Sequence, residues 1–183
     1  MKIIILCIFL IMAASTIAQE QIILPVFSMP VFDQENGIIE VFYERENDSK
    51  LSITVVFKDE DHPCCLVDTL YDAYRFFKYG RVEDIETFYL LLEKNGSVSG
   101  VEFPGVFSGN HKFEDTKDLH GSASFTSDEI TFIDERPVIY VNTWNHMFGV
   151  EPSFYTKQEI IIYKYPLSKG KRENAENKYS WLY

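Results

Sequence analysis

The chain reads as mainly β: an antiparallel sandwich or barrel of about seven to nine strands, with one amphipathic helix near residues 63–79. Three features lead there. Short apolar segments with period-two alternation recur along the chain. Turn dipeptides such as Asn36-Gly37, Asn95-Gly96 and Pro104-Gly105 separate them. One stretch alone switches to helical spacing.

The elements follow in order. Ile22 to Phe32 is apolar but broken by Pro25 and Pro30, which suits an edge strand or extended arm, since proline lacks a ladder donor. In Ile38 to Glu44, Ile39, Val41 and Tyr43 fall on one face and Ile38, Glu40 and Phe42 on the other. Across the turn Asn47-Asp48-Ser49, Leu51, Ile53, Val55 and Phe57 share one face, completing a hairpin. From Pro63 the rhythm becomes helical. Val67, Leu70, Tyr71, Tyr74, Phe77 and Lys78 form one stripe, and Asp68, Asp72 and Arg75 the other. The Tyr/Phe/Leu stripe is expected to pack on a sheet. Arg75 and Lys78 suit the negative end of the helix dipole, and Gly80 suits its C-terminal stop.

Residues 82–93 admit either helix or strand. Asn95-Gly96 supplies the positive φ of a tight turn and favours a hairpin from Thr87 to Phe103. Further strands are expected near 122–125, 130–133, 138–144 and within 154–165, with polar loop at 111–120. Beyond Leu167 the composition turns polar and basic. The organisation is a signal peptide over 1–18, a single β-rich domain over 19–168 and a flexible basic tail over 169–183.

The signal peptide rests on a three-part pattern. Lys2 is the charged start, Ile3 to Met12 an apolar run, and Thr16-Ile17-Ala18 a small-x-small cleavage site. The run is short for a membrane span, which needs roughly 20 apolar residues. The mature chain is therefore expected to be secreted and extracellular, with no membrane anchor. The sequons Asn47-Asp48-Ser49 and Asn95-Gly96-Ser97 fall at turns and read as glycan acceptors. With 28 acidic against 17 basic residues the net charge is −11. That argues against nucleic acid, whose phosphates need Lys and Arg.

Cys64 and Cys65 are adjacent and have no distant partner in the mature chain. An intermolecular bond, a vicinal bond or a pair of buried thiols are the three arrangements open to them. His62 with these cysteines is too small a set for structural zinc. His111, Glu114, Asp115, Asp118 and His120 have ligand chemistry without the spacing of a calcium loop. The densest polar–aromatic cluster is Asn142-Thr143-Trp144-Asn145-His146-Met147. On a strand, Asn142, Trp144 and His146 would face one way and Asn145 the other, so Trp144, Asn145, His146 and Asn142 are the candidate ligand-binding residues. No G-x-S-x-G, H-E-x-x-H or Gly-rich phosphate loop occurs. Lys169-Gly170-Lys171-Arg172 is a basic run open to secretory proteases.

These observations lead to a secreted non-enzymatic binding protein without metal or cofactor. Its partner is expected to be a small lipophilic ligand carried among the 15 Phe and 11 Tyr side chains. The alternative is a protein–protein interaction module, disulfide-linked as a homodimer through Cys64 or Cys65. A cavity favours the carrier; a filled core with an exposed apolar patch favours the interaction module.

Overall fold

The computed structural model describes residues 22–153 and 159–182. The expected signal peptide and part of the expected strand over 154–165 lie outside them. Among the described residues the fold is mainly β, a curled sheet of eleven strands. Strand β1 (Val26–Pro30) leads through a 3-10 helix (Val31–Asn36) into β2 (Ile38–Asn47) and β3 (Lys50–Phe57). Helix α1 (Cys65–Tyr79) precedes β4 (Asp84–Leu92) and β5 (Val98–Phe107). Then follow β6 (Gly121–Thr126), β7 (Phe132–Ile133), β8 (Arg136–Val141), β9 (Phe148–Gly149), β10 (Glu159–Ile162), β11 (Leu167–Lys169) and helix α2 (Arg172–Tyr179).

The strand order is β10-β1-β8-β9-β5-β4-β3-β2-β11, with β6 on β5 and β7 on β8. Strands β2 to β6 form an antiparallel meander. The sheet is mixed, however, because β1 runs parallel to β8, β11 to β2 and β9 to β5. Those pairings join strands distant in sequence, so local alternation carries no trace of them.

The hairpin expected around Asn95-Gly96 forms. Gly96 has φ +85, and Glu93 N–H donates to the Ser97 carbonyl at 2.9 Å. In β2 one detail departs from strict alternation. A bulge between Ile38 and Glu40 leaves Val41 and Ile38 toward the main core and sends Ile39 with Phe42 to the opposite face.

The main core lies on one face of the sheet. Leu51, Ile53, Val55 and Phe57 of β3 meet Phe88 and Leu90 of β4, as period two requires. Phe88 sits at its centre, with ring centroids 5.0 Å from Phe148, 5.6 Å from Phe103 and 6.3 Å from Phe27. Edge and tilted contacts of this kind add to the apolar area each ring buries.

The two helices reverse expectation. Of the apolar stripe of α1, Tyr71 packs against the main core, but most of the stripe does not reach the sheet. Leu66, Leu70 and Phe77 are 77%, 73% and 75% exposed, and Arg75 is the helix's buried residue at 2%. Arg75 instead turns inward, to the acidic side chains of Asp59 and Glu60. Conversely, residues 169–183 are not a loose tail over their described part. Helix α2 covers the second face of the sheet, where Ala175 packs with Phe42, Val56 and Ile85. The buried carboxylate of Glu40 accepts hydrogen bonds from Lys178 at 2.6 Å, Tyr179 at 2.7 Å and Ser168 at 2.6 Å. Burial pushes the Glu40 carboxyl up, and these donors more than reverse that and hold it below its usual value. The chain end then clasps α1: Trp181 N–H donates to the Gly80 carbonyl at 2.9 Å. Gly80 has φ +70, and a Cβ there would lie 2.5 Å from Ser180 Oγ, so both conformation and crowding require glycine.

Candidate functional site

The functional candidate is a charged chamber at one end of β3 and β4. Phe57 closes β3 and pairs with Asp84, which opens β4. The connection between these strands contains Asp59, Glu60, helix α1 and Arg81, so its polar residues gather at this end. Arg172 and Glu176 arrive from α2. The resulting cavity holds about 220 Å³ and is lined by Glu60, Tyr71, Arg75, Tyr79, Arg81, Asp84, Glu86, His120, Asn145, Arg172 and Glu176. An open cleft of about 570 Å³ adjoins it, lined by His62, Tyr71, Thr116, Asp118, Leu119, His120, Trp144 and Asn145. Tyr71, His120 and Asn145 border both spaces, which makes the cleft the mouth of the chamber.

His146 lies behind this wall, fully buried. It occupies a loop, not the strand that alternation implies: β8 ends at Val141, and His146 N–H donates to the Thr143 carbonyl at 2.9 Å. Thr143 Oγ1 accepts from Met147 N–H at 3.0 Å and donates to Asn145 Oδ1 at 2.8 Å, closing the turn. His146 itself has φ +55, an unusual backbone state for a residue with a Cβ. Its ring stacks on Phe57 at 3.9 Å. Nδ1 lies 3.0 Å from Asp84 Oδ2, and Nε2 lies 3.5 Å from Asp33 Oδ2. The other Asp33 oxygen is held by Asn36 Nδ2 at 2.9 Å. Burial opposes charge on the imidazole, but the two flanking carboxylates outweigh it and raise its pKa to about 9. Asp84 shows the reciprocal effect: burial pushes it up, and His146 with Arg75 and Arg81 brings it below its usual value.

Arg75 is the second centre. Its Nε lies 3.1 Å from Glu60 Oε1 and its Nη1 3.2 Å from Asp59 Oδ1. Its Nη2 is buried without a hydrogen-bond partner. Glu60 is pushed up to about 8 by burial and by the charge of Asp84, against the pull of Arg75. Glu86 is pushed up to about 8 for the same two reasons, although Arg172 lies 3.6 Å away. At neutral pH the chamber thus combines the guanidinium groups of Arg75, Arg81 and Arg172 with two carboxyls that hold protons and an ionised Asp84. Such a wall offers both strong donors and acceptors to a small polar molecule.

The sequence candidates divide in the structure. Trp144 and Asn145 line the cleft, with His146 beneath them, so three of the four come together. Trp144 is fixed by Nε1 donating to the Asp115 carbonyl at 2.8 Å, and its ring meets His62 at 4.8 Å and Tyr71 at 6.1 Å. Asn142 belongs elsewhere: its Nδ2 donates to Ser108 Oγ at 2.9 Å and the Glu151 carbonyl at 3.0 Å, tying loops together. The loop turn at Thr143 breaks the alternation that would have aligned Asn142 with Trp144. Sequence reasoning missed Asp33, Glu60, Arg75, Arg81, Asp84, Glu86 and Arg172. The one local signal was the density of charge flanking α1 in a chain of alternating strands.

Cys64 and Cys65 are both exposed free thiols at the start of α1, so the buried-thiol arrangement is not the one adopted. Asn47 and Asn95 are exposed at the tips of the β2–β3 and β4–β5 hairpins, the end of the strands opposite the chamber. Each Oδ1 accepts a hydrogen bond from the backbone N–H of its sequon serine, at 2.9 Å and 3.0 Å. Among the described residues, no group of three or more His, Cys, Asp or Glu could hold a metal ion, and no helix is long and apolar enough to cross a membrane. A second open groove, about 530 Å³, runs past Arg136, but that guanidinium is already engaged by the carbonyls of Leu24, Pro25 and Tyr163. No family model matches the chain, and neither a curated protein nor a solved structure matches it.

Proposed function

We propose that this chain is a secreted binding protein that takes a small polar ligand through the Trp144 cleft into the charged chamber. The observation that carries the reading is the chamber itself: three guanidinium groups and four carboxyls around about 220 Å³, reached from a cleft with an aromatic wall. Polar groups gathered around a concave space orient a ligand, while aromatic faces at the mouth cover it. A lipophilic cargo has less support, since Phe27, Phe57, Phe88, Phe103 and Phe148 fill the main core with one another's rings. Secretion rests on residues 1–18 and on the exposed sequons, which stand at the far end from the cleft.

Native mass spectrometry of the chain secreted from eukaryotic cells tests this. A small polar molecule released unchanged on denaturation is the expected result. In a Trp181→Phe background, such molecules should also alter the fluorescence of Trp144. An empty protein whose Trp144 emission responds to no polar compound would overturn the reading.

One observation favours a second reading. The exposed Leu66, Leu70 and Phe77 lie on the helix that begins at the exposed Cys64 and Cys65. A second copy of this chain could cover that face and be cross-linked there. Two thiols would give two electrons and two protons to a small-molecule disulfide, which leaves as two thiols. A dimer split by reductant, and lost in the Cys64→Ser/Cys65→Ser variant, is the expected result; a monomer under oxidising conditions would remove this reading.

A further inference from the structure

Resting on the binding reading above, we infer that the chamber's ligand presents an oxyanion, a carboxylate or phosphate group, to Arg75 and Arg81. Each of the two guanidinium groups lacks a partner. Arg81 is 9% exposed, and no carboxylate lies within ion-pair distance of it among the described residues. Its Nη1 donates to the Glu83 carbonyl and its head lies 5.7 Å from the Tyr79 ring centroid, so neither direct partner carries a formal negative charge. Arg75 is 2% exposed, and although its Nε and Nη1 face the carboxyl groups of Glu60 and Asp59, Nη2 has no acceptor. Both residues line the same cavity.

A buried cation is costly without a counter-ion, and a buried N–H donor without an acceptor is costly again. One ligand group satisfies both. A carboxylate or phosphate has several lone pairs, accepts in-plane hydrogen bonds from guanidinium and forms stronger bonds than a neutral acceptor. Burial is the leading effect on the Arg81 guanidinium and pushes its pKa down; Asp84 and Glu176 pull the other way from a distance, and the nearby Arg172 and Arg75 add to the fall. What the chamber lacks among the described residues, despite the acidity of the whole chain, is an acceptor in direct contact with Arg75 Nη2 and a carboxylate in direct contact with Arg81. Its size limits the ligand to a small molecule, and the cleft leaves room for a larger group attached to the anion.

The experiment uses the full mature chain with Trp181→Phe and matched chloride concentration. Inorganic phosphate and acetate serve as probes of the two oxyanion types, and glucose as the neutral polar control. Either anion should raise the melting temperature in proportion to the logarithm of its concentration and change Trp144 emission. Arg81→Gln should weaken that binding tenfold or more, while Arg81→Lys should recover part of it. Circular dichroism and a cooperative melt in anion-free buffer show, independently of binding, that Arg81→Gln folds. Equal stabilisation of parent and Arg81→Gln by the anions would overturn the inference, since the anion would then sit elsewhere. A response to glucose and to neither anion would overturn it while leaving the binding reading intact. No response to any of the three, together with an empty protein by native mass spectrometry, would remove both.

Discussion

The phenylalanine core and the charged chamber share strands β3 and β4 but are built on opposite logic. In the core, every side chain is interchangeable in kind: apolar area leaves water and rings touch at their edges. In the chamber and the His146 site behind its wall, His146, Asp33, Asp84, Glu60 and Arg75 depend on particular partners at particular atoms. Core packing tolerates exchange of one hydrophobe for another of similar volume, whereas removing one ion of a buried cluster strands its neighbour. The boundary between the two is Phe57, whose ring belongs to the core and carries the stacked His146.

The largest effect should come from the core. Phe88→Ala removes a fully buried ring touching Phe27, Phe103 and Phe148, and should cost about 3–5 kcal/mol in urea unfolding. A cost below about 1 kcal/mol would mean that the core collapses freely around the gap. Asp84→Asn should follow at about 3 kcal/mol, at the lower end for a broken buried pair because Asp33 still faces His146. If that variant matched the parent, the chamber would be no more exacting than the core.

The effect of pH separates the two regions more finely. Glu60 and Glu86 sit at about 8 against an ordinary 4.5, chiefly through burial, and His146 at about 9 against 6.5 through its carboxylates working against burial. The folded chain therefore holds protons that the unfolded chain has released. The stability these groups contribute is full at acidic pH and is lost as pH rises through 8 to 9. Asp84 and Glu40 are lowered, so theirs is lost only as pH falls below the ordinary carboxylate range. Urea midpoints should accordingly fall between pH 6 and pH 9, and Glu60→Gln, which cannot ionise, should flatten that fall. A parent whose midpoint rises over this interval would show the assignment to be wrong.

The smallest effect should come from α1. Leu70→Ser should change stability by less than about 0.5 kcal/mol, as at any exposed site without special contacts. A helix packed by its apolar stripe would lose several times more, so this variant distinguishes the two orientations directly.

Most of the sheet was legible from local pattern. Leu51, Ile53, Val55 and Phe57 alternate because successive strand residues face opposite sides, and Asn95-Gly96 announces its hairpin because few residues adopt positive φ. The mixed sheet was not legible, since β11 pairs with β2 across the whole domain that lies between them in sequence. Helix α2 shows the same limit from the other side. Its composition is that of a mobile tail, yet Ala175 and the Glu40 bonds to Lys178 and Tyr179 hold it on the sheet.

By itself the sequence determined a β-rich chain, its principal hairpins, the extent of α1 and the place of Trp144, Asn145 and His146 as polar–aromatic neighbours. Tertiary structure alone decided which way α1 faces and that Arg75, Arg81, Asp84 and Arg172 meet in one chamber. The physical reason is range. Alternation and turn chemistry act between residues a few positions apart, while buried charges choose partners across the whole fold according to where desolvation leaves them unsatisfied.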